Sequence, residues 1–375
     1  MATSLFSRVG LSGLLLVGAV GAARAQDQPR VYPPAEPSKS DSIKGGFQLT
    51  DKQQFANQSV LGQGPSKGLI VHYERVPTDF QIRSSGVNGV PDYTTTVSKA
   101  ALLTAKLYAP ILNHPHLKLI LGLNYERQEF QFRDQSSIDQ YSLYGNIQNK
   151  GLTTIGSQLA VFRPVDAVHY YVFRIKGELN GDYTSDQLNV TDYLKVSSEL
   201  IYGWKRSPTF AWGIGLQLGY SLGRQSVYPA VVYNRTFNDR WGVEALFPAR
   251  VLVRRNLSPK ALLFGGYELV STNYNLKLRT PFPKTSDPQA SKVTSLELRQ
   301  IDVKLRLRLE HELLSFLWGA VEGGYRYNYQ FNSFDRTNNT RDIVINSQLG
   351  LAPYVALDLF IVPPRKLLEK AGVRR

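Results

Sequence analysis

The stretch TFAWGIGLQLGYSLGR, Thr209 to Arg224, decides how the chain is read. Gly219-Tyr220-Ser221-Leu222-Gly223 fits G-x-S-x-G, the nucleophile elbow of serine hydrolases. Yet Phe210, Trp212, Ile214, Leu216, Leu218, Tyr220 and Leu222 fall on alternate positions, with Ala211, Gly213, Gly215, Gln217, Gly219, Ser221 and Gly223 between them. An elbow needs a helix directly after its serine, whereas Leu222-Gly223-Arg224 runs into another alternating segment. The stretch is a strand with one oily face and one small, polar face, and Ser221 is an inward residue on it. The inward glycines leave that wall row without side chains, which creates room or relieves crowding at a bend.

The same alternation recurs from Leu69 to Ile361 in about fourteen segments separated by turn residues. In LKLILGLNY, Leu117, Leu119, Leu121, Leu123 and Tyr125 oppose Lys118, Ile120, Gly122 and Asn124. In IDVKLRLRLE, Ile301, Val303, Leu305, Leu307 and Leu309 oppose Asp302, Lys304, Arg306, Arg308 and Glu310. A soluble sandwich uses strands of ~5–6 residues, while segments 117–132, 293–311 and 314–331 meet the ~9–11 residues that cross a bilayer. Connector lengths alternate as well. Segments 77–94, 133–149, 181–191, 273–292 and 332–341 are long, and PILNHPH, RPVDA, KRSP, ND and NLSPK are short. Short turns on one side and long loops on the other are the habit of outer-membrane barrels. The fold class expected is all-β: a transmembrane antiparallel up-and-down β-barrel of about fourteen strands, with twelve as the alternative.

The ends of the chain differ from this pattern. Arg8, the apolar Leu11 to Val20 and Ala23-Arg24-Ala25 have the layout of a signal peptide over 1–25, cleaved after Ala25. Residues 26–66 are polar and Pro-, Gly- and Gln-rich, which predicts a flexible periplasmic lead-in. The barrel is expected over 67–362, with a basic periplasmic tail at 363–375. With no Cys, lipid attachment through cysteine, disulfides and Cys-ligated metals are excluded.

Faces assign residues. Arg174, Lys176, Glu199, Asp302, Lys304, Arg306, Arg308, Glu322 and Arg326 are expected to line the lumen, where bases and acids nearly balance. Such a set pairs across strands and differs from a single-sign selectivity ring. The formal net charge of +14 therefore resides largely in loops and in the tail. Aromatics at strand ends predict interface girdles: Phe210, Trp212, Tyr202 and Trp204 on the periplasmic side, and Tyr220, Tyr325, Tyr327 and Tyr329, followed by Phe331, on the outer side.

Residues suited to catalysis or metal binding are few. His72, His114, His116, His169 and His311 form no H-E-x-x-H, and His114 and His116 lie in a turn without a third ligand. No H-x-S occurs, and the predicted outer loops hold acids but no histidine. No catalytic residue, metal or cofactor is expected, and no basic cluster interleaved with aromatics suggests nucleic acid.

The run VYPAVVYNRTFNDRWGVEALFPARVLVRRNLSPKALLFGGYEL, Val227 to Leu269, carries a resemblance. A proline in one strand, a Trp opening the next, the Phe247-Pro248 turn and the N-x-S-x-K turn before a G-x-E-like strand resemble an uncharacterised outer-membrane β-barrel family of Gram-negative bacteria, a domain of unknown function. The resemblance covers about two-thirds of the chain loosely and implies an exported barrel without family catalytic residues. Leu357-Asp358-Leu359-Phe360 looks like the closing signal read by the barrel-assembly machinery, although the tail beyond it departs from the usual ending at the final aromatic. The partners expected are outer-membrane lipid, that machinery and a small solute. A passive channel or uptake protein is the leading expectation, a structural or adhesive barrel closed by its own charges the second, and an outer-membrane enzyme the least favoured.

Overall fold

In a computed structural model, the described residues are 56–363 except 88, 135–137, 139–140, 185–187, 221–224, 284–291 and 338–341, together with the backbone at 48–49 and 373–374. The expected signal peptide, most of the lead-in and tail, and Ser221, Leu222, Gly223 and Arg224 lie outside them.

The alternating segments form antiparallel strands in chain order. Stave β1 comprises Leu69–Val76 and, after a short break, Phe80–Gly86. Then come β2 (Tyr93–His114), β3 (Leu117–Phe132), helix α1 (Ser142–Lys150), β4 (Leu152–Pro164) and β5 (His169–Gly181). The short helix α2 (Val190–Tyr193) leads into β6 (Leu194–Ser207), β7 (Phe210–Gly219), β8 (Ser226–Thr236), β9 (Trp241–Phe247) and β10 (Arg250–Ser258). The long β11 (Ala261–Pro283), β12 (Lys292–Leu314) and β13 (Leu317–Asp335) follow. Stave β14 is again in two pieces, Ile343–Leu349 and Ala352–Ile361. Leu357 faces Tyr73, so β14 pairs with β1 and the ring of fourteen staves closes.

Several connectors expected to be loops are strand. Phe80–Gly86 lies within 77–94, β11 runs through 273–283, and β13 continues to Asp335. Their sequences alternate in the opposite phase. Low on β11, Tyr267 and Leu269 face outward and Glu268 inward; higher up, Tyr274, Leu276 and Leu278 are buried inside, opposite Asn273, Asn275 and Lys277. The change matches a change of surroundings, because apolar side chains turn inward wherever the outside is water.

The barrel thus has two storeys. In the lower one, aliphatic residues such as Leu123, Leu216, Leu307 and Leu357 stand exposed on the outer face. The upper one is filled by an apolar core with Phe130, Leu296, Leu298 and Phe331 from the wall and Leu143, Tyr144 and Ile147 from α1. Burial pushes the Tyr144 phenol up to about 12, and its hydroxyl bonds Ser84 and Ser347. Staves β8 to β10 stop below this level, with a cis Phe247–Pro248 peptide in the β9–β10 turn. Above them the wall pinches. Asn275 of β11 bridges directly to Gly181 of β5, bypassing the intervening staves. The seam is otherwise made by side chains: Ser271 Oγ donates to the Tyr220 carbonyl at 2.5 Å, and Lys195 Nζ lies 3.4 Å from Glu297.

Candidate functional site

The inward side chains of the lower storey make the lumen. The structure places Arg174, Lys176, Glu199, Asp302, Lys304, Arg306, Arg308, Glu322 and Arg326 on its inner face, in two different environments.

On β1 and β11 to β14 the charges form a dense lattice. Arg308 is its hub: Nε donates to Glu310 at 2.8 Å, and Nη1 lies 2.7 Å from Asp358 and 3.2 Å from Glu322. Arg306 Nη2 reaches Glu322 at 2.6 Å and Nη1 bonds Glu268; Lys304 Nζ donates to Glu74 at 2.6 Å. His72 sits 3.1 Å from Asp358 and 3.6 Å from Glu74, and the Tyr354 hydroxyl donates to Glu322 at 2.8 Å. Arg308 and Glu310 are only 8% and 3% exposed. A buried network in which Glu74, Glu310, Glu322 and Asp358 each have at least two partners fixes geometry more than it adds net stability.

On β2 to β7 the charges pair more loosely: Lys106 with Glu126 at 3.1 Å, Arg174 with Glu199 at 3.3 Å, and Lys176 with Glu178 at 2.8 Å. Lys106, Arg174 and Lys176 are 35%, 35% and 37% exposed although they face inward. This side of the lumen is wet, and its file of charges leads up β5 and β6 to the seam at Lys195 and Glu297.

The chain closes the short-turn end itself. Residues 56–66, expected to be flexible lead-in, run inside the wall as a stopper. Ala56 packs on Tyr170, Val172, Ile201 and Val232, and its N–H donates to Asp166 O at 3.2 Å. Leu61 N–H donates to Pro208 O at 3.0 Å, and its own carbonyl accepts from Thr236 Oγ1 at 2.5 Å. Asn234 Nδ2 donates to Gln58 O at 2.8 Å, and Lys205 bonds Ser59 O. Beneath the stopper, the fully buried Arg254 spans Thr236 (2.8 Å) and Glu244 (3.2 Å). Lys67 then joins Glu310 at 2.5 Å, tying stopper to lattice. These contacts arise because Asn234, Thr236 and Arg254 share the inward phase of β8 and β10 and offer donors to an irregular backbone that has no ladder of its own.

Other expectations resolve differently. Glycine does not widen the wall: a Cβ on Gly215 would lie 2.1 Å from Leu200 O, and one on Gly213 2.9 Å from Ile201 Cγ2, so these glycines permit close approach of β6. Phe210, Tyr202, Trp204 and Trp212 stand on the outer face at the short-turn end, with Trp204 stacked on Trp212 at 4.4 Å and Phe210 against Tyr233. Tyr325, Tyr327 and Tyr329 are 55%, 56% and 70% exposed. Tyr220 belongs to the seam, its ring 5.4 Å from Lys195 Nζ, and Phe331 turns into the upper core after a register shift. Sequence reasoning did not single out Glu74, Tyr354 or the lumen role of His72. The alternation of LIVHYERV, which opposes His72 and Glu74 to Val71 and Tyr73, held that signal. Among the described residues no cluster of three His, Asp or Glu could hold a metal ion.

A closed ring of fourteen antiparallel staves with a charged interior and an exposed aliphatic exterior defines an up-and-down β-barrel of the outer-membrane type. The chain belongs to the family described as a domain of unknown function, DUF6268, whose model matches residues 133–359. No curated protein matches it. Among solved structures it is similar to a FadL homologue from Pseudomonas aeruginosa, at 10% identity, 79% of this chain, 90% of that one and a TM-score of 0.36. It is also similar to an outer membrane channel from Pseudomonas putida F1, at 11% identity, 84% of this chain, 100% of that one and 0.34. The P. putida toluene transporter TodX gives 7% identity, 84% of this chain, 99% of that one and 0.34.

Proposed function

We propose that this chain is an integral outer-membrane barrel that takes up small polar solutes through a gated lumen. The outward aliphatic band and the aromatics flanking it suit a bilayer of ~25 Å apolar thickness. Export by 1–25, cleavage after Ala25, and recognition of the last strand by the assembly machinery belong to the same proposal.

The observation that carries the reading is the asymmetry of the lumen. A barrel needing only rigidity gains nothing from leaving Lys106, Arg174 and Lys176 partly in water beside the buried lattice around Arg308. The wet file is instead bounded below by a stopper without ladder pairing and above by a seam of side-chain contacts. Both closures are of a kind that local opening releases. The lattice itself favours a second reading, a structural barrel permanently filled by its own charges.

The chain has no native cysteine, so an engineered pair separates the two readings. A Cβ on Gly64 would lie 3.1 Å from Leu262 Cδ1, so a short bifunctional methanethiosulfonate that joins Gly64→Cys to Leu262→Cys through reducible disulfides would lock the stopper. Brief openings in planar bilayers are expected from the wild type and from the reduced pair, and silence from the joined pair. If neither the wild type nor a chain lacking 56–66 conducts, the structural reading takes its place.

A further inference from the structure

At the long-loop end, where α2 and the top of β6 meet the outer face of β11 and β12, a crevice of about 210 Å³ opens. Its lining includes Asp192, Tyr193, Asn275, Lys277, Ser295 and Arg336. Two features single this wall out. Asn275 is 2% exposed; its Nδ2 donates to the Asp192 carbonyl, while its Oδ1 accepts nothing. Turning the amide over would set Oδ1 against that carbonyl, so the orphan acceptor is fixed in place. A buried acceptor left unbonded is costly, and a ligand donor would relieve it.

The second feature is charge. Lys277 Nζ is neutralised by Asp192 Oδ2 at 2.7 Å. Arg336 spends only Nη1, on the Asp192 carbonyl at 2.9 Å, and none of the ion pairs among the described residues gives its guanidinium a carboxylate. The crevice therefore has a surplus positive charge with a free guanidinium edge. Arg336 also lies well beyond the exposed Tyr329, roughly 20 Å further along the chain at strand rise, and so in the water outside the barrel's apolar band.

We propose that this crevice binds a small carboxylate that also carries a hydroxyl or ammonium donor: a hydroxy acid or an amino acid. The carboxylate takes the free edge of Arg336, a geometry that suits a two-point contact. The hydroxyl or ammonium donates to Asn275 Oδ1, with the Ser295 hydroxyl beside it and the Tyr193 ring as an apolar wall. The volume is that of roughly seven waters, enough for a short-chain acid and too small for an oligomer. Below the floor of the crevice, the Lys195–Glu297 pair separates it from the more exposed charges of β5, which makes the crevice an entry station. That role, though not the binding, rests on the channel reading.

The test is calorimetry on the detergent-solubilised full chain with sodium D-glycerate, L-serine, sodium propionate and glycerol. Glycerate and serine should bind, and propionate, which has no donor, and glycerol, which has no charge, should bind at least ~10-fold more weakly. Arg336→Gln should weaken glycerate at least ~10-fold, and Asn275→Leu should erase the preference for glycerate over propionate. Heat-modifiable migration on gels checks that each variant is folded, and Ser295→Ala, which removes one hydroxyl, supplies a milder variant with a partial loss. Absence of glycerate binding to the wild type overturns the proposal, as does binding that Arg336→Gln leaves unchanged. Binding by a barrel silent in bilayers would remove the channel reading and keep the site; conductance without binding removes the site alone.

Discussion

Replacing Asn234 by Leu and Thr236 by Val tests the stopper most directly. Asn234 Nδ2 donates to Gln58 O at 2.8 Å and Thr236 Oγ1 to Leu61 O at 2.5 Å. Both substitutions approximately conserve volume and leave the wall ladder intact. Each removes one neutral hydrogen bond that exists only when the stopper is docked, worth about 1 kcal/mol. The bond from Arg254 to Thr236 lies within the wall and is lost in docked and undocked states alike, so it cancels. The pair should therefore destabilise docking by about 2 kcal/mol, a roughly 30-fold larger undocked population. Two assays read that factor independently. Exchange of the Leu61 amide, which donates to Pro208 O when docked, should accelerate about 30-fold if opening is a fast pre-equilibrium. Open probability in bilayers should rise by the same factor if undocking is the rate-determining closure. Unchanged Leu61 exchange would refute the energetic reasoning. Faster exchange with unchanged open probability would show that the stopper is not the gate.

Three further outcomes are expected. Leu307→Arg should cost roughly 2–4 kcal/mol of insertion or folding free energy in lipid vesicles, because Leu307 is 59% exposed on the outer face between Gly265 and Gly323. Leu305→Arg should cost less, since Leu305 pairs with Tyr267 and Tyr325, nearer the interface; equal costs would mean that the bilayer level is misplaced. Truncating Arg306 and Arg308 together to Ala removes two positive charges, yet Glu322 keeps Tyr354, Glu310 keeps Lys67 and Asp358 keeps His72. Conductance should stay as low as wild type until the stopper is also loosened, and should then be more cation-selective; a large pore from the double variant alone would refute the two-closure scheme. In the β4–β5 turn, bonds from the His169 side chain and from the His169 and Val168 amides hold the Asp166 carboxyl down to about 2. Because its folded value is depressed, the turn should persist through neutral and mildly acid pH and loosen only as pH falls through about 2; a carboxyl carbon midpoint near 4 by NMR would contradict this.

Most of the lower storey was legible because a bilayer leaves little freedom. Outward Leu305 and Leu307 and inward Lys304, Arg306 and Arg308 follow from period two alone, and the parity of turns fixes the ring. The stopper was not legible, for a physical reason. Residues 56–66 form no ladder and hold few large apolar side chains, Val60 and Leu61, so their sequence is that of a linker. What orders them is a set of donors, Asn234, Thr236, Arg254 and Lys205, on staves far along the chain. Those donors also look ordinary, since an inward polar residue in a barrel usually needs no explanation beyond water.

The upper storey was legible in principle, and the signal is the reversal of phase. On β3 the inward positions run from Glu126 and Gln128 to Phe130 and Phe132; on β11 from Glu268 and Thr272 to Tyr274 and Leu276; on β12, read upward, from Asp302 and Gln300 to Leu298 and Leu296. In hydrocarbon the outward face must be apolar while the inward face is free to be polar; in water the requirement reverses. A reversal at matching heights on several staves therefore marks the level at which the wall leaves the membrane, and turns expected loops into a water-soluble core standing on a barrel. Staves β8 to β10 carry no reversed portion, since they end at Ser226 and at the Phe247–Arg250 turn. The apolar core consequently roofs only part of the ring. Any passage upward has to leave beside that core, over the short staves and through the seam at Lys195 and Glu297. That is where the inward charges of β5 and β6 already lead.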